Sequence, residues 1–213
     1  KIKILIDMLG FTSPERLQIF NSRVAPLQVS WLAYCNTVGF ETIDYQFADE
    51  NLIYENEKNL YCGEILYLPN IWNSHSGFNF KRSLNQLPSS DNDKFVFGSL
   101  NNFRKISDET IDAWSSILKK VKNSALILKS SDYCNENILL EKFDSNNVKD
   151  KIIIYDRSNY KNKQDHLNLY KKIDLALDTF PYNGVTTTFE SLWMNVPVVS
   201  IKGYNFNSRC GES

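Results

Sequence analysis

Two short stretches gather the side chains that binding a phosphorylated ligand requires. The first is Thr179–Glu190 (TFPYNGVTTTFE). Gly184 permits close backbone approach or a positive φ. Thr186, Thr187 and Thr188 then place hydroxyls where a helix begins, and hydroxyls beside the unpaired N–H groups of a first helical turn make an anion site. Glu190 follows about one turn further on, with a carboxylate suited to accept hydrogen bonds from ribose hydroxyls. The second is Ser99–Lys105 (SLNNFRK), where the amides of Asn101 and Asn102 and the cations Arg104 and Lys105 precede a helix start and suit a phosphate. Taken alone, the first stretch also describes an ordinary threonine-capped helix, and the second a solvated loop.

Other chemistries are poorly supplied. Neither GxGxxG nor GxxxxGKS/T occurs. Asp91-Asn92-Asp93 matches the Asp-x-Asp pattern of metal-dependent glycosyltransferases, but it precedes a strand instead of following one and reads as a solvated turn. Cys35, Cys62, Cys134 and Cys210 are far apart, and His75 and His166 are the only histidines, so no closely spaced ligand set for a structural zinc exists. We expect no metal, four reduced thiols and a cytoplasmic protein. Lys and Arg number 24 against 25 Asp and Glu, a net charge of −1. That balance leaves no basic footprint for nucleic acid and no polybasic membrane patch. The longest apolar runs, such as Val196–Ile201, are too short to span a bilayer. The chain opens at Lys1 directly into an apolar run and stops at Gly211-Glu212-Ser213; it reads as a fragment of a longer protein.

The elements that must position these loops alternate between strand and helix. Strands are expected at Lys3–Asp7, Leu27–Ala33, Ile43–Phe47 and Ile65–Leu68, with a helix at Pro14–Ser22 capped by Ser13. Periodicity is lost over residues 72–93, which are rich in Asn, Ser, Asp and Gly, and a boundary is placed there. Beyond it, strands are expected at Lys94–Gly98, Ala125–Lys129, Lys151–Tyr155, Leu175–Asp178 and Val198–Ile201. Helices are expected from Ser107 to about Lys122 and at Glu136–Phe143, Gln164–Ile173 and Thr187–Met194. This alternation implies an α/β fold with parallel sheets, and ligands in such sheets bind beyond the carboxyl ends of the strands.

Five segments together resemble the O-GlcNAc transferase / SPINDLY family: Ala25–Tyr34 (APLQVSWLAY), Ile43–Tyr45 (IDY), Gly98–Lys105 (GSLNNFRK), Leu177–Thr188 (LDTFPYNGVTTT) and Glu190–Met194 (ESLWM). They stand in the family's order across nearly the whole chain. The resemblance implies a GT-B fold of two Rossmann-like domains facing a cleft. Residues 1–75 would end the N-terminal, acceptor-side catalytic domain, 76–93 would be a linker, and 94–213 would be the nucleotide-sugar-binding domain. It implies inverting, metal-independent transfer of a sugar from a nucleotide sugar to Ser or Thr hydroxyls of proteins. UDP-GlcNAc is the first candidate donor. Phe180-Pro181-Tyr182 and Thr186-Thr187-Thr188 resemble SPINDLY and bacterial members, which keeps GDP-fucose open. A GT-B transferase with a glycan acceptor and a non-catalytic nucleotide-binding module are the rival classes. Upstream tetratricopeptide repeats are implied as the usual means of presenting acceptors.

Matching positions imply roles. Lys105 would hold the donor diphosphate and stabilise the leaving group. Asn102 would stand beside it, where animal members carry Gln. Lys163 would lie near the ribose and His166 beside the nucleobase. Gly184, Thr186 and Thr187 would hold the diphosphate, and Glu190 the ribose. Lys3 and Val185 replace histidines of animal relatives, and Ala33 and Cys35 stand where many relatives have Gly and Pro. No general base is assigned.

Overall fold

The computed structural model describes residues 1–79, 87–91, 93–130, 135–160 and 162–213. Asn92 of the Asp-x-Asp triplet and Cys134 lie outside the described residues. The chain divides into two compact units, Lys1–His75 with Lys202–Ser213, and Ser76–Ile201.

In the first unit, β1 (Ile4–Asp7), β2 (Leu27–Ser30), β3 (Tyr45–Ala48) and β4 (Glu64–Tyr67) form a parallel sheet in the order β1-β2-β3-β4. The short helix α1 (Pro14–Leu17) carries Pro14 at its first turn, where a missing N–H costs nothing. It passes at once into a 3-10 turn, Gln18–Asn21. Ser13 does not cap α1; its hydroxyl donates to Glu15 instead. Leu17, Phe20, Val38 and Ile43 form the core on one face.

Residues 202–213, expected with the second domain, pack instead in the first unit. Arg209, only 3% exposed, donates to both carboxylate oxygens of Glu57 at 2.5 and 2.8 Å and to the Leu52 carbonyl at 3.1 Å. Its guanidinium lies 4.0 Å from the Tyr54 ring centre, and Phe206 meets Trp72 edge-on. A buried guanidinium left unpaired is costly, so Glu57 fixes where this segment docks. The expected linker is not independent where it is described: helix α2 (Pro88–Asp91) belongs to the second unit, and Ser89 bonds Asp174 through both its N–H and its hydroxyl.

The second unit contains β5 (Phe95–Ser99), β6 (Ser124–Lys129), β7 (Ile152–Tyr155), β8 (Leu175–Leu177) and β9 (Val198–Val199), all parallel, in the order β7-β6-β5-β8-β9. Besides α2, its described helices are α3 (Asp108–Lys120), α4 (Glu136–Ser145), α5 (Lys163–Asn168) and α6 (Thr186–Trp193). Successive side chains of β6 alternate between two cores. Leu126 and Leu128 join Trp114, Leu118 and Phe143 of α3 and α4. Ile127 joins Leu167, Tyr170 and Met194 on the side of α5 and α6. The period of two thus buries both faces of the sheet. Ser107 caps α3 as expected, accepting from the Thr110 N–H at 3.2 Å. The expected helix Gln164–Ile173 is shorter, with α5 giving way to a 3-10 turn at Leu169–Lys172.

Strand order reverses between β5 and β8. After β5 the chain builds outward through β6 and β7, then returns to lay β8 on the other side. In open parallel sheets that crevice is where ligands bind.

Candidate functional site

The loops leaving β5 and β8 meet at this reversal, and they are the two stretches singled out by their residue types. Beyond β5, a 3-10 turn at Phe103–Lys105 follows Asn102, whose side chain accepts from the Arg104 N–H at 3.0 Å. The turn directs Lys105 across to the β8 loop. Its ammonium donates to the Asn183 carbonyl at 2.9 Å and sits 4.0 Å from the Tyr182 ring centre. Ile106 bridges Pro181, and the Thr110 hydroxyl donates to the Phe180 carbonyl at 2.8 Å, so the loops are stitched along their length.

Asp178, 9% exposed at the end of β8, anchors the arrangement. Its Oδ1 accepts from the N–H groups of Thr179 at 2.8 Å and Gly184 at 2.7 Å, and from the Asn101 amide at 3.4 Å. Its Oδ2 accepts from the Ser200 hydroxyl at 2.7 Å. Burial nevertheless raises its pKa, against the lowering effect of Ser200, Gly184, Thr179 and the Lys105 charge. Sequence reasoning passed over Asp178. The available signal was a carboxylate ending an apolar strand.

Gly184 adopts no positive φ; close approach is its reason. A Cβ there would stand 2.3 Å from the Thr187 Oγ1 and 3.0 Å from the Asn101 Oδ1, two atoms joined by a 2.8 Å hydrogen bond from the threonine hydroxyl. Helix α6 begins at Thr186, which is exposed, and its N-cap Val185 offers no side-chain acceptor to the first turn. The leading N–H groups and the Thr186 hydroxyl therefore open beside the Lys105 loop, which Thr187 holds through Asn101.

A second cluster lies one turn along α6. Glu190 is 3% exposed. Its Oε1 accepts from Lys163, and its Oε2 lies 2.8 Å from His166 Nε2 and 3.0 Å from the Tyr170 hydroxyl. The Tyr170 hydroxyl also lies 3.2 Å from the Thr187 carbonyl, which connects the two clusters. Lys163 and His166 are there because Asn162 caps α5, accepting from the Asp165 N–H at 2.8 Å, and positions one and four of a helix share a face. Burial would push the Glu190 carboxyl up, but the hydrogen bonds and charges of His166 and Lys163 hold it below the usual carboxylate range. Burial, then the Glu190 charge and hydrogen bond, push Tyr170 well above its ordinary value.

The site residues singled out by sequence thus fall into two connected groups. Lys105, Gly184, Thr186 and Thr187 gather at the start of α6, with Lys105 tied to Asn183, while Asn102 closes its own turn. Lys163, His166 and Glu190 form one hydrogen-bonded cluster. Asn101, whose amide the sequence had pointed to, joins the first group, and Asp178, Tyr170 and Lys129 complete the groups without having been singled out. Among the described residues no group of three or more His, Cys, Asp or Glu side chains converges as a metal site, and no helix is long and apolar enough to cross a membrane.

Two loops and a helix start thus converge at the reversal of a parallel sheet, and the two parallel-sheet units are those of a GT-B glycosyltransferase fold. The model of glycosyl transferase family 41 matches residues 1–78 and 75–213, and the chain belongs to that family. It is 34% identical over 209 residues to a probable UDP-N-acetylglucosamine–peptide N-acetylglucosaminyltransferase SPINDLY of Eustoma exaltatum subsp. russellianum, and 33% identical to that of Arabidopsis thaliana. Each match covers 95% of this chain but 22% of the relative. Among solved structures, a mutant of the Thermobaculum terrenum O-GlcNAc transferase superposes with a TM-score of 0.85 at 30% identity, over 98% of this chain and 40% of that one.

Proposed function

We propose that this chain carries the donor-binding half, and part of the acceptor side, of an inverting, metal-independent transferase that moves GlcNAc from UDP-GlcNAc to Ser or Thr hydroxyls of proteins. The observation that carries the reading is the meeting of Lys105, the open start of α6 and the Glu190–His166–Lys163 cluster at one sheet reversal. The spacing suits a nucleoside diphosphate, with its phosphates at Lys105, Thr186 and Thr187 and its ribose at Glu190. The names and folds of the relatives point the same way.

Transfer with inversion forms a bond from the acceptor oxygen to the anomeric carbon as the bond to the diphosphate breaks on the opposite face. The acceptor proton leaves to a base, and the electron pair leaves with the diphosphate. Negative charge therefore builds beside Lys105. A fixed ammonium there stabilises the transition state more than the bound donor, which is what raises turnover. With that charge and the α6 N–H groups supplied by the chain, no metal is required at the diphosphate. The first unit is proposed to belong to the acceptor side, and tetratricopeptide repeats in the longer protein to present the acceptor. The balanced charge and widely spaced cysteines support a cytoplasmic setting.

The test is a donor screen on the full-length protein with UDP-GlcNAc, UDP-glucose and GDP-fucose, by calorimetry and then by mass spectrometry of acceptor peptides. We expect UDP-GlcNAc to bind and a single N-acetylhexosamine to appear on Ser or Thr. Transfer of fucose alone would replace the donor assignment. Binding of none of the three would overturn the reading.

A further inference from the structure

Lys129 ends β6 and points its ammonium at the edge of the Glu190 cluster. Its Nζ lies 2.9 Å from His166 Nδ1, on the side of the ring opposite the 2.8 Å contact from Nε2 to Glu190. We propose that Lys129 is a positioning residue for the nucleoside end of the site, holding His166 as the neutral imidazole that carries its single proton on Nε2. The proposal rests on the donor-site reading for its functional consequence, but not for its chemistry.

An ammonium has three donors and no acceptor. A hydrogen bond between Lys129 and Nδ1 therefore requires the Nδ1 lone pair, and the ring proton must sit on Nε2, where it donates to Glu190. An imidazolium would set N–H against N–H at Nδ1. Arg157 and Lys163 are the other cations acting on Lys129, with Glu190 opposing them, and Tyr170 meets the ring edge-on at 5.9 Å. Burial, then the Arg157 charge, pulls Lys129 below its ordinary pKa, and donation to a bare Nδ1 favours the ammonium against that pull. A ring so fixed locks the Glu190 carboxylate in one orientation, with Oε1 turned to Lys163. Its partners being set before a ligand arrives, Glu190 is preorganised for a ribose.

The chain has two histidines, His75 and His166, so histidine nitrogen NMR reads the tautomer directly. The experiment uses the protein labelled with ¹⁵N-histidine near neutral pH, with His75→Gln to assign the signals and UDP titrated in parallel. We expect His166 to show a protonated Nε2 and a bare Nδ1. Lys129→Met should take the donor from Nδ1, shift its resonance, and weaken UDP binding about tenfold, the scale of one charge-assisted hydrogen bond. Lys129→Arg, which keeps a donor, should restore the Nδ1 signal and bring UDP binding to within about threefold of wild type. An imidazolium or an Nδ1–H ring in the unmodified protein would overturn the proposal, and that spectrum decides even if Lys129→Met fails to fold. So would an unchanged His166 in a folded Lys129→Met protein. If the Nδ1 signal responds as expected but neither UDP nor GDP binds, the assignment of Lys129 stands and the donor-site reading falls.

Discussion

Asp178 and Glu190 are both buried carboxylates of the second unit, and they are satisfied in opposite ways. Asp178 accepts from neutral donors only: two backbone N–H groups, the Ser200 hydroxyl and the Asn101 amide. Burial outweighs them, and its pKa rises. Glu190 faces Lys163 and His166 as well as Tyr170, and these outweigh burial, so its pKa falls. Neutral donors from the backbone fix a loop in place. A charged partner such as Lys163, whose side chain is 49% exposed, can be exchanged for a ligand. The Asp178 end therefore reads as the frame of the proposed diphosphate site, and the Glu190 end as the part that would trade partners on binding the proposed nucleoside.

Mutations at the two ends should separate turnover from affinity. Lys105→Ala in the full-length protein is expected to lower kcat by about 100-fold or more, the scale of losing one preorganised electrostatic donor, as measured by steady-state kinetics on a variant shown to be folded by circular dichroism. Near-normal kcat would make its loop structural. Glu190→Gln should instead raise the donor KM by about 10- to 100-fold with a much smaller change in kcat, because its contacts are made before and after reaction alike. Equal losses in kcat for both variants would erase the distinction. Thr187→Val removes the hydroxyl that holds Asn101 beside the proposed diphosphate site, and should weaken donor binding by about three- to tenfold, as read by calorimetry.

The smallest effect tests the carboxylates themselves. A raised folded pKa contributes stability that is complete below the unfolded value, about 4 for Asp, and is lost as pH climbs through the folded one. A lowered folded pKa contributes stability that is present above the unfolded value and lost as pH falls through the folded one. The stability deficit of Asp178→Asn should therefore shrink as pH rises from about 3 to 7, and that of Glu190→Gln should grow. Urea unfolding across that range should show slopes of opposite sign. Parallel slopes would mean that the two environments are alike.

Much of this was legible in the sequence because it is local. Short apolar runs gave the strands, Ser107 gave the start of α3, and the Thr-rich segment gave the start of α6. Residue types alone also picked out the two loops that the sheet reversal brings together. What was not legible depends on partners far apart in the chain. Lys105 meets Asn183, Lys129 meets His166 and Arg209 meets Glu57, and nothing near any of these residues names its partner. Gly184 shows the middle case. Its need for space was readable, but the choice between a positive φ and a close approach was made by the Thr187 and Asn101 side chains.

The most direct measurement compares UDP with uridine, titrated by chemical-shift change into the wild-type protein, Lys105→Ala and Glu190→Gln. If Lys105 meets the diphosphate and Glu190 the ribose, Lys105→Ala should weaken UDP by about tenfold or more and leave uridine unchanged, whereas Glu190→Gln should weaken both by the same factor. Equal effects of Lys105→Ala on UDP and uridine, or none on either, would contradict the placement of the diphosphate between Lys105 and the start of α6.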